Sequence, residues 1–498
     1  MTHPYLDDFR GHFINGRFEP SAGGQTFVSR NPAHGHQPVL EVVADVGAVD
    51  RAVTAARSAL RGWRGAGLEG RIEALKAVRD KVGDHAERIA EAITAEMGKT
   101  RNEALIEARS IAGKIDGVIS QIGHALPPAG PGAPGEQRFH ALGVVAIIGP
   151  FNFPVHLVNT HVIPALLTGN TVVAKPSEVT PLAGQRYAEL FEAAGFPAGV
   201  FNLVHGLGDT GAALVSHSGV RGVIFTGSYR TGRLIRQATF DQPYKKVCLE
   251  LGGKNPALVL DDADLEQAAR EIMLGALLTT GQRCTATSRV IVTPGAADGL
   301  RDRLVQAFGR IKPGDPAGDT TFMGPLANEA SKTRFLDLLQ KGREEGAQVL
   351  VESESLDGGA FVTPSLYEVK GHERLLHEEL FGPHVAFEVA QSEDDAFARG
   401  GENTYGLSAS LFSARPEAFE RFYDEIPAGV LNFNRSTNGA SGLLSFGGVG
   451  MSGNWRPAGA MAPRLCTYPV AVMQVPFGQI TAHGNLDRAL GLDEKGGQ

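Results

Sequence analysis

The sequence predicts an α/β protein with two doubly wound domains, a cofactor domain and a catalytic one, and a small β arm beside them. Three observations predict it. From Gly143 onward, short β-rich runs alternate with helical stretches at the spacing of a parallel, doubly wound sheet. A second alternating region begins at Ala257, and two irregular segments, near residues 130 and 470, belong to neither.

The chain opens on a polar stretch to which no element is assigned. Val49–Arg61 and Arg71–Met97 are Ala-rich, with charged residues on one side and Ala, Ile, Leu and Val on the other, the pattern of amphipathic scaffold helices. Leu126–Gly135 is dominated by proline and glycine, which excludes helix and central strand and marks a linker or an extended excursion. Strands are expected at Val144–Ile148, Thr171–Ala174, Val200–Val204, Val223–Phe225 and Val247–Leu249. The helices between them are Val155–Leu167, Pro181–Ala194, Thr210–Ser216 and Thr231–Thr239. In the second region the strands are Ala257–Leu260, Arg289–Val292, Ala409–Phe412 and Gly429–Asn432, with helices at Leu265–Leu278 and Lys332–Glu345. Thr467–Pro476 has β character, and its partner is either the excursion near residue 130 or another subunit.

Composition narrows the function. The 47 basic and 55 acidic residues give a net charge of −8 with no basic block or basic helix, which argues against nucleic acid or an anionic membrane and for a small molecule. No apolar run reaches the roughly 18 residues of a membrane span, and Met1–Asp8 has neither the basic nor the apolar region of a signal peptide, so a cytoplasmic location is expected. Cys248, Cys284 and Cys466 lack C-x-x-C spacing, which disfavours a disulfide framework or a zinc cluster. His156 and His161 are five apart rather than four, and His377-Glu378-Glu379 is not H-E-x-x-H, so no metal is expected.

The candidate nucleophile is Cys284, in Thr279–Thr285 (TTGQRCT), where small and polar neighbours replace the apolar setting of Cys248 and Cys466. Glu250, in the run LELGG, stands 34 positions earlier and is the candidate general base. Asn152 follows the strand Val144–Ile148. Its amide could stabilise an oxyanion there, although an asparagine before Phe-Pro is also an ordinary turn residue.

Cofactor signals are spread over several turns. Gly206, Gly208 and Gly211 form a G-x-G-x-x-G, but no acid ends the next strand, so a tight strand-to-helix connection is the better reading. Gly227-Ser228-Tyr229-Arg230-Thr231-Gly232 leads from a strand into a helix start, where free N–H groups favour phosphate oxygens. Lys175 and Glu178 end the strand Thr171–Ala174, where they could bond ribose hydroxyls. Glu178 would repel a 2′-phosphate, favouring NAD over NADP.

Asn152, Lys175, Gly227, Glu250 and Cys284 in this order resemble the aldehyde dehydrogenase superfamily, over nearly the whole chain. The resemblance rests on Gly149–Pro154 (GPFNFP), Lys175–Glu178 (KPSE), Phe225–Ser228 (FTGS), Leu249–Pro256 (LELGGKNP), Gly281–Cys284 (GQRC), Glu378–Pro383 (EELFGP) and Phe446–Gly453 (FGGVGMSG). Within it, Gly149–Asn170, Gly281–Thr285 and Phe446–Pro457 are similar to the N-succinylglutamate 5-semialdehyde dehydrogenases of arginine catabolism, while Thr285–Ser288 and Ala458–Pro463 depart from that pattern.

The resemblance implies an aldehyde dehydrogenase fold with an NAD-binding domain at 1–122 and 145–251 and a catalytic domain at 252–435. It also implies an oligomerisation arm at 123–144 and 464–480, an active-site loop at 436–463, and a homodimer or dimer of dimers. It further implies oxidation of an aldehyde to a carboxylate through a thiohemiacetal and a thioester on Cys284, with Asn152 on the oxyanion and Glu250 activating water. Lys175 and Glu178 are implied on the adenosine ribose, Gly227–Gly232 near the pyrophosphate, and Glu379 with Phe381 on the nicotinamide side. A substrate with several carboxylates needs cationic contacts, for which Arg283, Arg435 and Arg456, with Ser445, are the candidates. The alternatives are another semialdehyde or an aliphatic aldehyde, acyl transfer to coenzyme A, and a non-catalytic binding protein.

Overall fold

The computed structural model describes residues 8–130, 133–371, 374–479 and 481–491. Met1–Leu6 and Asp7 from the opening, Pro131 and Gly132 of the excursion, and Ile480 at the end of the arm lie outside the described residues. Two seven-stranded sheets organise the chain.

In the first sheet the spatial order is Lys246–Glu250, Val220–Thr226, Val144–Ile148, Thr171–Lys175, Phe201–Leu203, His12–Ile14 and Arg17–Glu19. The first five strands run parallel, as the alternation of runs predicts. Being covered on both faces, they are near-continuous apolar runs. Side-chain alternation divides them: Val145, Ile147, Val172 and Ala174 enter one core, and Val144, Ala146, Val173 and Val204 the other.

The second sheet orders Gln348–Val351, Ser365–Glu368, His384–Val389, Thr287–Val292, Asn255–Val259, Ser408–Phe412 and Val430–Phe433, all parallel apart from the first. Val290 and Val292 face the helices Leu265–Leu277 and Pro294–Arg310, while Ile291 and Leu411 face the helices Glu393–Gly401 and Pro416–Glu425. A buried Arg289–Glu388 pair, at 2.8 Å, crosses the centre of this sheet.

The opening stretch is not featureless. His12–Ile14 and Arg17–Glu19 close the edge of the first sheet, with Phe13 paired to Leu203, and Gln25–Arg30 pairs with Pro38–Ala44. A helix at Arg101–Ala125, between the two scaffold helices and the excursion, has no counterpart in the expected elements. Thr467–Val472 pairs antiparallel with Glu136–Ala141, the first of the two partners expected for it. Among the described residues no helix is long and apolar enough to cross a membrane.

Candidate active site

The carboxyl edge of the first sheet presents its strand ends side by side. Glu250 is in register with Thr226, Phe225 with Ile148, and Ile148 with Lys175. The turns leaving these ends are stitched together, Gly227 N–H donating to Glu250 O at 3.0 Å and Gly149 N–H to Lys175 O at 2.9 Å.

Asn152 is buried in the turn after Ile148, and its Nδ2 donates to Gln282 O at 2.9 Å, two residues before Cys284. Its own carbonyl accepts from Lys99 Nζ at 2.6 Å. Lys99 is paired at 2.5 Å with Glu107, whose other oxygen accepts the N–H groups of Val155 and His156, each at 3.1 Å. Both side chains of this pair are fully buried, so removing one partner would cost about 3–5 kcal/mol.

Cys284 stands on a turn held open by three consecutive left-handed residues, Thr279 (φ 56°), Thr280 (φ 56°) and Gly281 (φ 69°). Left-handed threonine costs on the order of 1–3 kcal/mol per residue, so the surroundings must fix it. Glu103 accepts from Thr279 N–H at 3.2 Å and from Thr279 Oγ1 at 2.8 Å, and Thr280 Oγ1 donates to Gly324 O at 2.9 Å. Gly281 admits no side chain, because a Cβ there would lie 2.3 Å from Gly382 O. On the far side of the cysteine, Asn255 Nδ2 donates to the carbonyls of Cys284 and Ala286 at 2.8 and 2.9 Å.

Glu250 and Cys284 are electrostatically linked. Burial pushes the thiol up to about 12, with the Glu250 and Glu379 carboxylates adding to it and the backbone N–H groups of Cys284 and Thr285 opposing it. Burial also holds Glu250 well above the usual carboxylate range, and its Oε1 has no hydrogen-bond partner among the described residues. That oxygen sits over Gly447 (φ 135°), where a Cβ would come within 2.3 Å of it and 2.5 Å of the Arg456 Cα. Burial raises Cys248 likewise, to about 12, but Cys248 and Cys466 are fully packed while Cys284 is half-buried.

The residues read as cofactor contacts divide into two groups. Lys175 is buried, 3.1 Å from Pro176 O and 3.7 Å from the exposed Glu178 carboxylate. Ser228 caps the helix Tyr229–Ala238, its Oγ accepting from Thr231 N–H at 3.3 Å, which leaves the first N–H groups of Tyr229 and Arg230 without an intrahelical acceptor. Gly232 packs against Leu251, where a Cβ would lie 2.9 Å from Leu251 Cδ2. The second group comes from the segment ahead of the second sheet's strand His384–Val389. Glu379 Oε1 accepts from Gly253 N–H at 3.0 Å, and Phe381, at φ 57°, sets its ring edge-on to Phe151 with centroids 5.8 Å apart. Burial raises Glu379 to about 7. Gly206 lies in the short connection between Phe201–Leu203 and the helix Gly208–Ser216, which already contains Gly208 and Gly211, consistent with a tight connection.

The candidate substrate cations fare unequally. Arg283 is already bound to Glu103 at 2.7 Å and to Thr279 Oγ1 at 3.0 Å, so its charge is committed to the nucleophile turn, a correction to the expectation for it. Arg435, Ser445 and Arg456 are exposed on the loop that follows the second sheet, and neither arginine has an ion-pair partner among the described residues. The sequence reading missed Lys99, Glu103, Glu107 and Asn255. Glu103 and Glu107 belong to a helix that it left unassigned and Lys99 to the connection before it, and the spacing 103, 107, 110 on one helical face was the available signal.

A match of residues 18–470 to the model of the aldehyde dehydrogenase family covers most of this architecture, and the chain belongs to that family of NAD(P)-dependent aldehyde-oxidising enzymes. Among curated relatives, the N-succinylglutamate 5-semialdehyde dehydrogenase of Vibrio cholerae O395 is 38% identical over 470 residues, 93% of this chain and 96% of that protein. That of Caulobacter sp. K31 is 40% identical over 476 residues, with the same coverage. Among solved structures, a cysteine-to-alanine mutant of aldehyde dehydrogenase C from Pseudomonas syringae, in complex with NAD+ and octanal, is 29% identical. It superposes with a TM-score of 0.88 over 96% of this chain and 99% of that one.

Proposed function

We propose that this enzyme oxidises N-succinyl-L-glutamate 5-semialdehyde to N-succinyl-L-glutamate, with NAD as the oxidant, as a step of arginine catabolism. The observation that carries the chemistry is the convergence of Asn152, Glu250 and Cys284 where the carboxyl edge of the first sheet meets the nucleophile turn. The substrate is supported by the relatives at 38% and 40% identity, which bear that name over nearly their whole length.

In this reading the Cys284 thiolate attacks the aldehyde carbon, its proton passing to Glu250 or to water. The Asn152 amide and the Cys284 backbone N–H hold the oxyanion of the thiohemiacetal. One N–H of Asn152 is committed to Gln282 O, which fixes the amide plane and leaves the other free for the oxyanion. When bound, a nicotinamide cofactor would supply the hydride acceptor for oxidation of this adduct to the Cys284 thioester. Glu250 then takes a proton from the water that releases the acid.

The cofactor would be held by Lys175 and Glu178 at the adenosine ribose, by Gly227, Ser228, Tyr229, Arg230, Thr231 and Gly232 beside the pyrophosphate, and by Glu379 and Phe381 at the nicotinamide ribose. These residues fit it: the helix start offers open N–H groups, Lys175 is a desolvated cation, and the Glu178 carboxylate disfavours a 2′-phosphate. The domain division, with 1–122 and 145–251 binding the cofactor, 252–435 carrying Cys284 and 436–463 forming the active-site loop, belongs to the same proposal. So do a cytoplasmic location and a homodimer or dimer of dimers, supported by the free thiols and by the two-stranded arm with its exposed Tyr468, Met473 and Phe477.

The test is NADH formation with N-succinylglutamate semialdehyde, glutamate semialdehyde and a linear aliphatic aldehyde. The proposal expects at least a tenfold higher kcat/KM for the succinylated aldehyde, about 1.4 kcal/mol of transition-state preference, and no turnover in Cys284→Ala. Equal rates on all three would keep the enzyme class and discard this substrate.

A further inference from the structure

Along the helix Arg101–Ala125, Glu103, Glu107, Ser110 and Lys114 follow one another at spacings of four, three and four, and so share one face. The first three positions are fully engaged with the active site. Glu103 holds Arg283 and Thr279, Glu107 holds Lys99 and the N–H groups after the Asn152 turn, and Ser110 Oγ meets His156 Nδ1 at 2.8 Å. Lys114 continues the row with no ion pair or hydrogen bond to any described residue, although it is half-buried.

The surroundings of Lys114 connect it to the reaction centre. Its ammonium is 3.8 Å from the place a Cβ on Gly442 would take, and one turn further along, Gly117 faces Leu443. The segment that holds Gly442 and Leu443 starts beside the nucleophile, where Thr285 Oγ1 donates to Asn438 Oδ1 at 2.8 Å. The segment from Asn438 to Leu443 therefore runs from the residue after Cys284 to Lys114. From the other side, Lys114 acts on the buried imidazoles of His156 and His161, and the His156 ring packs on Phe153, next to Asn152. Among the described residues no carboxylate pairs with this cation. Burial without a partner is costly for it and pushes it down to about 8.

We propose that Lys114 is the cation that binds a carboxylate of the aldehyde substrate, pairing with it beside Gly442. The inference rests on the proposed function in taking a carboxylated aldehyde as substrate. Arg283, the cation nearest Cys284, is neutralised by Glu103 and does not compete.

The experiment compares wild type, Lys114→Met, Lys114→Gln and Lys114→Arg on N-succinylglutamate semialdehyde, the same aldehyde with its carboxylates methyl-esterified, and glutamate semialdehyde. The expected result is at least a tenfold rise in KM for the carboxylated substrate in the Met and Gln variants, less than a twofold change for the ester, and recovery of most of the loss in the Arg variant. Equal losses on acid and ester, or none on the acid, would overturn the assignment. A wild type that does not prefer the succinylated aldehyde removes the proposed substrate but leaves Lys114 testable on glutamate semialdehyde. There a loss confined to charged aldehydes upholds it and a loss shared with the ester overturns it.

Discussion

The two sheets bring their residues to the site by different means. The first presents Glu250, Gly227, Asn152 and Lys175 directly from its carboxyl edge, where parallel strand ends leave a crevice that any such sheet possesses. The second delivers Cys284 from ahead of its strand Thr287–Val292, on a left-handed turn that no single element would sustain. Glu103, Gly324, Gly382 and Asn255, from four separate parts of the chain, hold that turn. Binding surfaces therefore come almost free with the topology, whereas the position of the nucleophile has to be enforced by tertiary contacts.

The largest effect should come where the two meet. Asn152→Ala removes the amide that joins the first sheet to the nucleophile turn, and its loss as an oxyanion donor should lower kcat by about 10²–10³, read by steady-state NADH formation. A loss below fivefold would mean that the backbone N–H of Cys284 suffices. Next, Gly281→Ala breaks the nucleophile side alone. The left-handed backbone costs alanine about 1–2 kcal/mol, and the overlap with Gly382 O adds about 1–3 kcal/mol. Urea unfolding should detect both, and an unchanged midpoint would contradict the strain assigned to this turn.

The smallest effect distinguishes the two halves by acid. His12, His156, His161 and His205 are packed in or beside the first sheet and His384 in the second, and burial lowers all five, His12 and His161 to about 4. Each is neutral when folded but takes up a proton near pH 6.5 when unfolded, so the stability they provide is present above that pH and lost as it falls toward 4. Trp63, buried with its Nε1 donating to Leu166 O at 2.9 Å, reports on the first half. Its unfolding midpoint in urea should drop between pH 6.5 and 4.5; a midpoint independent of pH would show that these imidazoles accept protons in place.

The same contrast explains what could be read in the sequence. The parallel strands were legible because burial on both faces writes them as unbroken β-branched runs, and Val144–Ile148 is reproduced to the residue. The turns of the site were legible because they need glycine, proline and small residues in fixed places. The edge hairpin His12–Glu19 went unassigned although Asn15-Gly16 marks its turn locally, whereas its pairing with Phe201–Leu203, nearly two hundred residues away, has no local mark. Lys99 and Glu107 were hidden for a related reason: a charged residue in an Ala-rich helix looks solvated until its partner is known, and here the pair is fully buried. Arg283 misled in the opposite direction, looking free beside the cysteine while being bound to Glu103.

The central claim is that Cys284 carries the acyl group and Glu250 releases it. It is tested most directly by intact-protein mass spectrometry on Glu250→Gln after mixing with NAD and N-succinylglutamate semialdehyde, alongside the NADH time course. The account predicts a burst of about one NADH per subunit, a mass increase of one succinylglutamyl group that Cys284→Ala abolishes, and slow turnover thereafter. Wild-type turnover in Glu250→Gln, with no adduct on Cys284, would contradict it.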